Sequence, residues 1–395
     1  MSKHLSSALQ VISILDAAGF IAYFAGGYVR DQLLGHISED IDIVTNASME
    51  EIKKLFTKTI PVGAQFGIMI VVIDEEQFEL ATFRKEGEYT DGRHPSSIEV
   101  ATPMEDAKRR DFTINGLFLD PKTQEIYDFV DGKKDLELKI IRAIGDPHKR
   151  FEEDRLRMLR AIRYACRFSF TIEEKTYLAI KKHSRDLLPS VSEERICQEL
   201  SKMAEYPHFD KALHFLFDTH LLQTIFPSLK KLSDYTNYLR KLPIASPFAA
   251  KLSLIFGDIE NKELLPILQN LKVSNKETSF ALYFNGLKNL MLSDTQLSRY
   301  EKAKLYADRH FELSFEMLKC LPIEKRVIES HEESHIALRP HIERLVSKKS
   351  LITSQDLKDR GIAAGPQMGE LLKKAEELSI ESDLHDKESL FKVLF

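Results

Sequence analysis

Phe24-Ala25-Gly26-Gly27-Tyr28-Val29-Arg30-Asp31, with Glu39-Asp40-Ile41-Asp42-Ile43-Val44 close behind it, is the stretch whose reading decides the fold. Residues 21–25 and 41–44 are short apolar runs that read as strands. Residues 29–34 read as a short helix introduced by the Gly26-Gly27 turn. Asp40 and Asp42 stand two apart in an extended segment, so their side chains point to one face while Ile41, Ile43 and Val44 anchor it. Two carboxylates on one sheet face suit a hard divalent cation such as Mg²⁺. Such ions activate a hydroxyl and steady a pyrophosphate leaving group. Taken alone, an Asp-x-Asp strand equally suits a solvated face, and the two glycines shift that balance. Glycine lets a backbone approach a ligand closely, a helix start offers free N–H groups to phosphate, and Arg30 adds a cation. The plainer alternative is a tight turn carrying an Arg30–Asp31 surface pair. Neither a Walker lysine motif nor Gly-x-Gly-x-x-Gly accompanies the turn, so a triphosphate held here is held differently from those folds.

Working outward, residues 4–18 form an amphipathic helix with Leu5, Ala8, Ile12 and Leu15 on one side. Ser48 caps a helix that runs to residue 56. Residues 67–73 and 77–82 form a hairpin around Asp74-Glu75-Glu76, and residues 115–119 and 125–127 pair around Asp120-Pro121. A few helices over a small mixed sheet make an α/β head of residues 1–147. After Pro147 strand signals almost vanish. Residues 151–168 are one long helical pattern, and helical periodicity continues nearly to the end, punctuated by Pro227, Pro243, Pro247 and Pro322.

The chain has 395 residues and 43% hydrophobic content, more than one core holds comfortably. Its net charge of −5, from 56 basic and 61 acidic residues, excludes a wholesale basic coat. A local basic face still suffices to contact RNA phosphates. Lys230-Lys231 and Arg240-Lys241 are candidates for such contacts, with exposed charge as their default reading. Cys166, Cys197 and Cys320 are odd in number and lack metal-ligand spacing, as expected of reduced thiols in a cytoplasmic protein. No run of about 18 apolar residues predicts a membrane span. Asp16 interrupts the first twenty residues, which therefore do not read as a signal peptide. The oligomeric state is not legible.

The pattern Gly26-Gly27-x-Val29-Arg30-Asp31-x-Leu33-Leu34-Gly35, then Asp40-x-Asp42, resembles the class II (bacterial-type) tRNA nucleotidyltransferases and their poly(A) polymerase relatives. Three further motifs follow in that family's order. Glu79-Leu80-Ala81-Thr82-Phe83-Arg84 is similar to the loop-entry motif. Arg109-Arg110-Asp111-Phe112-Thr113-Ile114-Asn115-Gly116-Leu117 is similar to the ribose-binding motif. Glu153-Asp154-Arg155-Leu156-Arg157-Met158-Leu159-Arg160-Ala161-Ile162-Arg163 is similar to the nucleotide-selecting helix. A weaker likeness, in Asp356-Leu357 and Gly365-Pro366-Gln367-Met368-Gly369-Glu370-Leu371-Leu372, lies in the tail.

The resemblance implies an α+β fold: a polymerase-β-like nucleotidyltransferase head with a mixed sheet, then an all-α neck (148–230), body and tail (231–395) that hold RNA. It implies template-independent addition of C and A, from CTP and ATP, to the 3′ end of tRNA. Poly(A), CC-only and A-only synthesis share most of these motifs. The roles implied are catalysis and Mg²⁺ binding for Asp40 and Asp42, triphosphate binding for Gly27, Arg30 and Arg110, and base selection for Asp154 and Arg157, supported by Arg160 and Arg163. Asp111 and Asn115 would hold sugar or backbone, with helix capping as a second role for Asp111. In the family, a polar loop such as that of residues 84–97 accompanies the switch from C to A addition. Glu79 is a candidate third acid, a solvent-facing strand residue being the plainer reading.

Base choice also follows from elementary chemistry. A carboxylate only accepts hydrogen bonds and a guanidinium only donates them. Cytosine and adenine each present an amino donor beside a ring-nitrogen acceptor, whereas uracil and guanine reverse that order. On one helix Asp154 and Arg157 are neighbours, and together they match C and A. A wrong base leaves desolvated groups unpaired, at about 1–3 kcal/mol each. A solvated helix with internal acid–arginine pairs is the bland alternative. From another enzyme class, His331-Glu332-Glu333-Ser334-His335 matches a zinc metalloprotease pattern, with His341 as a third histidine. Leu338 in place of the turn glycine, Pro340 before His341, and the charged segment upstream count against it.

Overall fold

The computed structural model describes residues 2–63, 67–87, 89, 96–293 and 295–395. The chain divides into two compact units, Met1–Lys230 and Lys231–Phe395.

The first unit opens with α1 (Lys3–Ala17), whose Ala8, Val11, Ile12 and Leu15 are buried at helical spacing. Strand β1 (Ala22–Ala25), α2 (Gly27–Leu33), β2 (Asp42–Thr45) and α3 (Met49–Leu55) follow. Ser48 and Glu51 close a capping box at the start of α3. Next come β3 (Thr59–Gly63), β4 (Ile68–Ile73) and β5 (Glu76–Thr82), then β6 (Arg84–Glu86) paired with β7 (Ile98–Val100). Helix α4 (Pro103–Arg109), β8 (Leu117–Leu119), β9 (Ile126–Asp128) and α5 (Gly132–Leu138) complete the head.

Seven strands form one sheet in the order β3-β4-β5-β2-β1-β8-β9. Only β2 and β5 pair in parallel; the other neighbours are antiparallel. The register sets Ala25 opposite Asp42 and Ile43 opposite Leu80. Asp42 and Glu79 therefore sit one residue before a paired couple on adjacent strands and share a face.

A two-residue ladder, β10 (Ile140–Ile141) with β11 (Thr171–Ile172), ties the head to the helices that follow. These are α6 (Pro147–Glu153), α7 (Arg157–Phe168), α8 (Glu174–His183), α9 (Glu193–Ala204), α10 (Phe209–Asp218) and α11 (Leu221–Ile225). Helix α7 buries most of its length, including Met158, Leu159, Ala161 and Ile162.

Several expectations need correcting. The pattern over residues 151–168 is not one helix: α6 ends at Glu153, and Asp154 is extended at φ −143°. The Asp154 carboxylate accepts the Leu156 N–H at 3.1 Å, a local bond that competes with helix continuation. Strand β2 starts at Asp42, so Asp40 stands in the lead-in rather than on the strand. Helix α2 starts at Gly27, two residues early. Strand β3 and helices α4 and α5 were not foreseen; each is short, and β3 carries Pro61 at the sheet edge. The polar segment 84–97 has a strand pair at its base, while residues 88 and 90–95 lie outside the described residues.

The second unit is helical: α12 (Phe248–Ser253), α13 (Asn261–Asn270), α14 (Asn275–Leu292), α15 (Arg299–Tyr306), α16 (Phe311–Lys319), α17 (Lys325–Ala337), α18 (Arg339–Val346), α19 (Ser354–Lys358), α20 (Pro366–Glu381) and α21 (Lys387–Leu394). Leu357 and Met368, from the weaker tail motif, join Ile352, Ala375, Leu390 and Phe391 in one buried cluster. No helix of the described residues is long and apolar enough to cross a membrane.

Candidate active site

One cavity of about 880 Å³ in the first unit is lined from two sides. The head contributes Gly26, Gly27, Arg30, Asp40, Asp42, Glu79, Arg110 and Asp111; the helical wall contributes Asp154, Arg157, Arg160, Arg163, Arg167 and Arg195. Every residue singled out from the sequence as catalytic or nucleotide-binding lines this space.

The acids stand on the head side. Burial pushes the Asp42 carboxyl up to about 6, and repulsion from Asp40 and Glu79 adds to it while Arg110 opposes it. Three carboxylates crowd this corner, and a cation among them would relieve the repulsion. Their all-oxygen donor set fits a hard divalent ion. The trio is looser than a preformed cage. Among the described residues, the group that brings three ligand atoms within 4.8 Å of one another is His341, Asp383 and His385 in the second unit.

Gly26 explains the tight approach of turn and site. It holds φ +63°, and a Cβ there would lie 2.9 Å from Arg110 Nη1 and 3.9 Å from Asp42 Oδ2. Arg30 and Asp31 are not a surface pair: both are buried, joined at 2.8 Å. Arg30 also donates to Asn115 Oδ1 at 2.5 Å and lies over the Phe168 ring, so its guanidinium is held before any ligand arrives. Arg110 is clamped by Asp106 through Nε and Nη2. Asp111 does not cap a helix, because only a three-residue 3-10 turn follows. Its Oδ1 accepts from the Phe112 N–H and the Asn115 amide, and its Oδ2 from Arg160 at 2.7–2.8 Å. Burial pushes this carboxyl up, but Arg160 and Asn115 outweigh it and hold it down at about 2.

The arginine wall is paired throughout. Arg157 meets Glu153 at 2.5 Å, not Asp154, and also donates to the carbonyls of Arg150 and Arg109. Three of the five guanidinium N–H groups are thus engaged and two remain. Asp154 instead faces Arg195 of α9 at 3.4 Å. Arg163 meets Glu199 of the same helix at 2.6 Å, with both side chains buried. Glu153 was legible as an i, i+4 partner of Arg157 and Asp106 as one of Arg110. Arg195 and Glu199 carry no local signal, lying 41 and 36 residues from their partners.

The zinc-protease pattern does not assemble. His331 Nδ1 bonds to the Tyr306 hydroxyl at 2.8 Å, His335 faces Glu312 at 3.5 Å, and His341 is buried against Asp383. Neither His331 nor His335 belongs to the His341–Asp383–His385 group.

Acids at the edge of a mixed sheet, Asp42 and Glu79 on strands and Asp40 in the lead-in, set across a cavity from a wall of arginines, are the arrangement of a nucleotidyltransferase. Residues 22–142 match the family described as the Poly A polymerase head domain, and residues 169–232 match the family described as the probable RNA and SrmB-binding site of polymerase A. The CCA-adding enzyme of Lactobacillus helveticus is 34% identical over 96% of this chain and 94% of its own length. That of Streptococcus mutans is 33% identical over 97% and 95%. The crystal structure of the Bacillus stearothermophilus CCA-adding enzyme in complex with CTP superposes with a TM-score of 0.78 at 28% identity, covering 100% of this chain and 97% of that one. The chain belongs to the CCA-adding enzyme family.

Proposed function

We propose that this chain adds C and A from CTP and ATP to the 3′ end of tRNA, without a nucleic-acid template and with release of pyrophosphate. The observation that carries this reading is the single cavity shared by Asp40, Asp42, Asp154 and Arg157. Full-length relatives named CCA-adding enzymes support it over a poly(A) polymerase.

Asp40 and Asp42 are the catalytic, metal-binding pair, and Glu79 is a third acid beside them. Mg²⁺, when bound, supplies activation of the attacking 3′-hydroxyl and neutralises charge on the pyrophosphate. Gly27, Arg30 and Arg110 hold the triphosphate or its ribose. The clamps on Arg30 and Arg110 keep those cations fixed, so little reorganises when phosphate arrives. Asp154 accepts from the exocyclic amino group of C or A. One of the two remaining N–H groups of Arg157 donates to the neighbouring ring nitrogen. Arg160 and Arg163 extend the cationic wall toward phosphate. Residues 148–230 are the neck that reads the base, and residues 231–395 the body and tail that hold tRNA in the cytoplasm.

The test uses tRNA lacking its last three nucleotides, supplied with CTP, ATP or both, and sequencing of the product ends. A completed CCA end with both nucleotides is expected. A long A tract, or no incorporation, overturns the proposal.

A further inference from the structure

His341, the third histidine of the zinc-protease pattern, finds other partners in the fold. It lies on α18 and is fully buried. Its Nε2 stands 2.8 Å from Asp383 Oδ1, and His385 Nε2 stands 3.6 Å from the same oxygen. The two imidazoles stack with 4.8 Å between ring centroids, 21° from parallel. The way α20 ends explains the gathering. Leu384 N–H donates to the Ser379 carbonyl at 2.8 Å and Asp383 N–H to the Ile380 carbonyl at 3.3 Å, a Schellman turn. Its left-handed position, usually glycine or asparagine, is here Asp383 at φ +53°. A carboxylate thus stands at the turn, with His385 two residues on. An ion pair accounts for part of this, because Arg299 Nη2 meets Asp383 Oδ1 at 2.8 Å. It does not account for two imidazoles on one carboxylate. Nor does it account for His341 Nδ1, which is buried with no hydrogen-bond partner among the described residues.

We propose that His341, Asp383 and His385 bind a divalent ion of the zinc class, which clips the α20–α21 turn onto α18. Two imidazole nitrogens and a carboxylate oxygen are donors that Zn²⁺ takes, with water in the fourth position. In a tetrahedral site with bonds of about 2.0–2.1 Å, ligand atoms stand about 3.3 Å apart. The separations from Asp383 of 2.8 and 3.6 Å bracket that value, and all three ligand atoms lie within 4.8 Å of one another. Side-chain rotation therefore suffices to admit the ion. Burial disfavours the charged form of His341, and the neutral ring is the form that ligates. The Asp383 and His385 side chains are more than half exposed, which gives the ion a way in and leaves room for its water. A carboxylate offers about four lone-pair sites, so Arg299 and the ion can share Asp383. Mg²⁺ prefers oxygen donors, so this site and the head acids select different ions. His341 and Asp383 are 42 residues apart, and the segment between them holds α19 and α20. Closing a loop of that length restricts the unfolded chain and so favours the folded tail.

The experiment takes the full chain as wild type, His385→Ala and Asp383→Asn, strips each with a chelator and dialyses it against Zn²⁺ alone. Alanine replaces an exposed ring, and asparagine keeps the left-handed turn. Wild type should hold one Zn²⁺ per chain that each variant binds at least about tenfold more weakly. Zn²⁺ taken up by the head acids is common to all three chains and cancels in the difference. Added Zn²⁺ should also raise the melting temperature of wild type more than that of His385→Ala, while the two melt together in chelator. Equal zinc stoichiometry and affinity in all three chains overturns the site, and the cluster is then an ion-pair network alone. An equal zinc-induced rise in the melting temperatures of wild type and His385→Ala overturns the clip.

Discussion

The two sides of the cavity are charged in opposite senses and built on opposite plans. On the head side, Asp40, Asp42 and Glu79 repel one another, and Asp42 is forced to hold its proton more tightly than an ordinary carboxylate. On the wall side, Arg157, Arg160 and Arg163 each have an acid within 2.8 Å: Glu153, Asp111 and Glu199. On the function proposed above, the difference separates two tasks. The crowded acids suit a divalent cation, whose charge would relieve their mutual repulsion. Satisfied arginines are already oriented, and orientation is what discrimination between bases requires, since a mobile cation would adapt to any of them.

Breaking the frustrated side should have the largest effect. Asp42→Ala should lower CTP incorporation by about 10³-fold, a loss of several kcal/mol of charge stabilisation, and spare tRNA binding in a filter assay. Turnover at the wild-type rate would remove the metal role. Chelation of divalent ions should give the same loss in the wild-type chain.

Breaking the satisfied side at its most buried pair should cost stability first. Glu199→Leu strands the Arg163 guanidinium and should destabilise the fold by about 3 kcal/mol in denaturant unfolding. An unchanged midpoint would mean that Arg163 finds another acceptor.

Arg157→Ala should reduce the preference for CTP over UTP by about tenfold or more, because one donor set facing the base disappears. Glu153→Gln should move the same ratio in the same direction by less, since it loosens Arg157 without deleting it. Equal discrimination in wild type and Arg157→Ala would contradict selection by this pair.

The smallest expected effect is on acid stability. Asp111 is held near 2 when folded, below its ordinary value of 3.8. A depressed carboxyl contributes stability above its unfolded pKa and loses it as pH falls toward the folded one. The melting temperature of the wild type should therefore exceed that of Asp111→Asn at pH 5 to 7, and the gap should narrow as pH falls from 5 toward 2. A gap constant across that range would show that Asp111 is not the titrating group.

The legible parts were those encoded by short-range spacing. Alternation in residues 68–82 and the Asp74-Glu75-Glu76 turn predict the β4–β5 hairpin, and Ser48 with Glu51 marks the start of α3. The break at Asp154 escaped detection because residues 151–168 keep helical periodicity across it. A side-chain bond to the Leu156 N–H, invisible in an apolar pattern, ends α6. Across the same break Arg157 at the start of α7 pairs with Glu153 at the end of α6, while Asp154 faces Arg195 of α9.

From the sequence alone came the head's acid pair, its glycine turn, the arginine-bearing segment, and the order in which they occur. These are local properties, written in alternation, in helical repeat and in the conformational freedom of Gly26. Tertiary structure decided which polar group meets which: Arg30 with the Asn115 amide across 85 residues, and the ion pairs Asp31 with Arg167 across 136 and Arg163 with Glu199 across 36. Such pairings depend on how helices and sheet pack, because a carboxylate and a guanidinium attract whatever partner the fold brings within reach, and no spacing along the chain records that meeting.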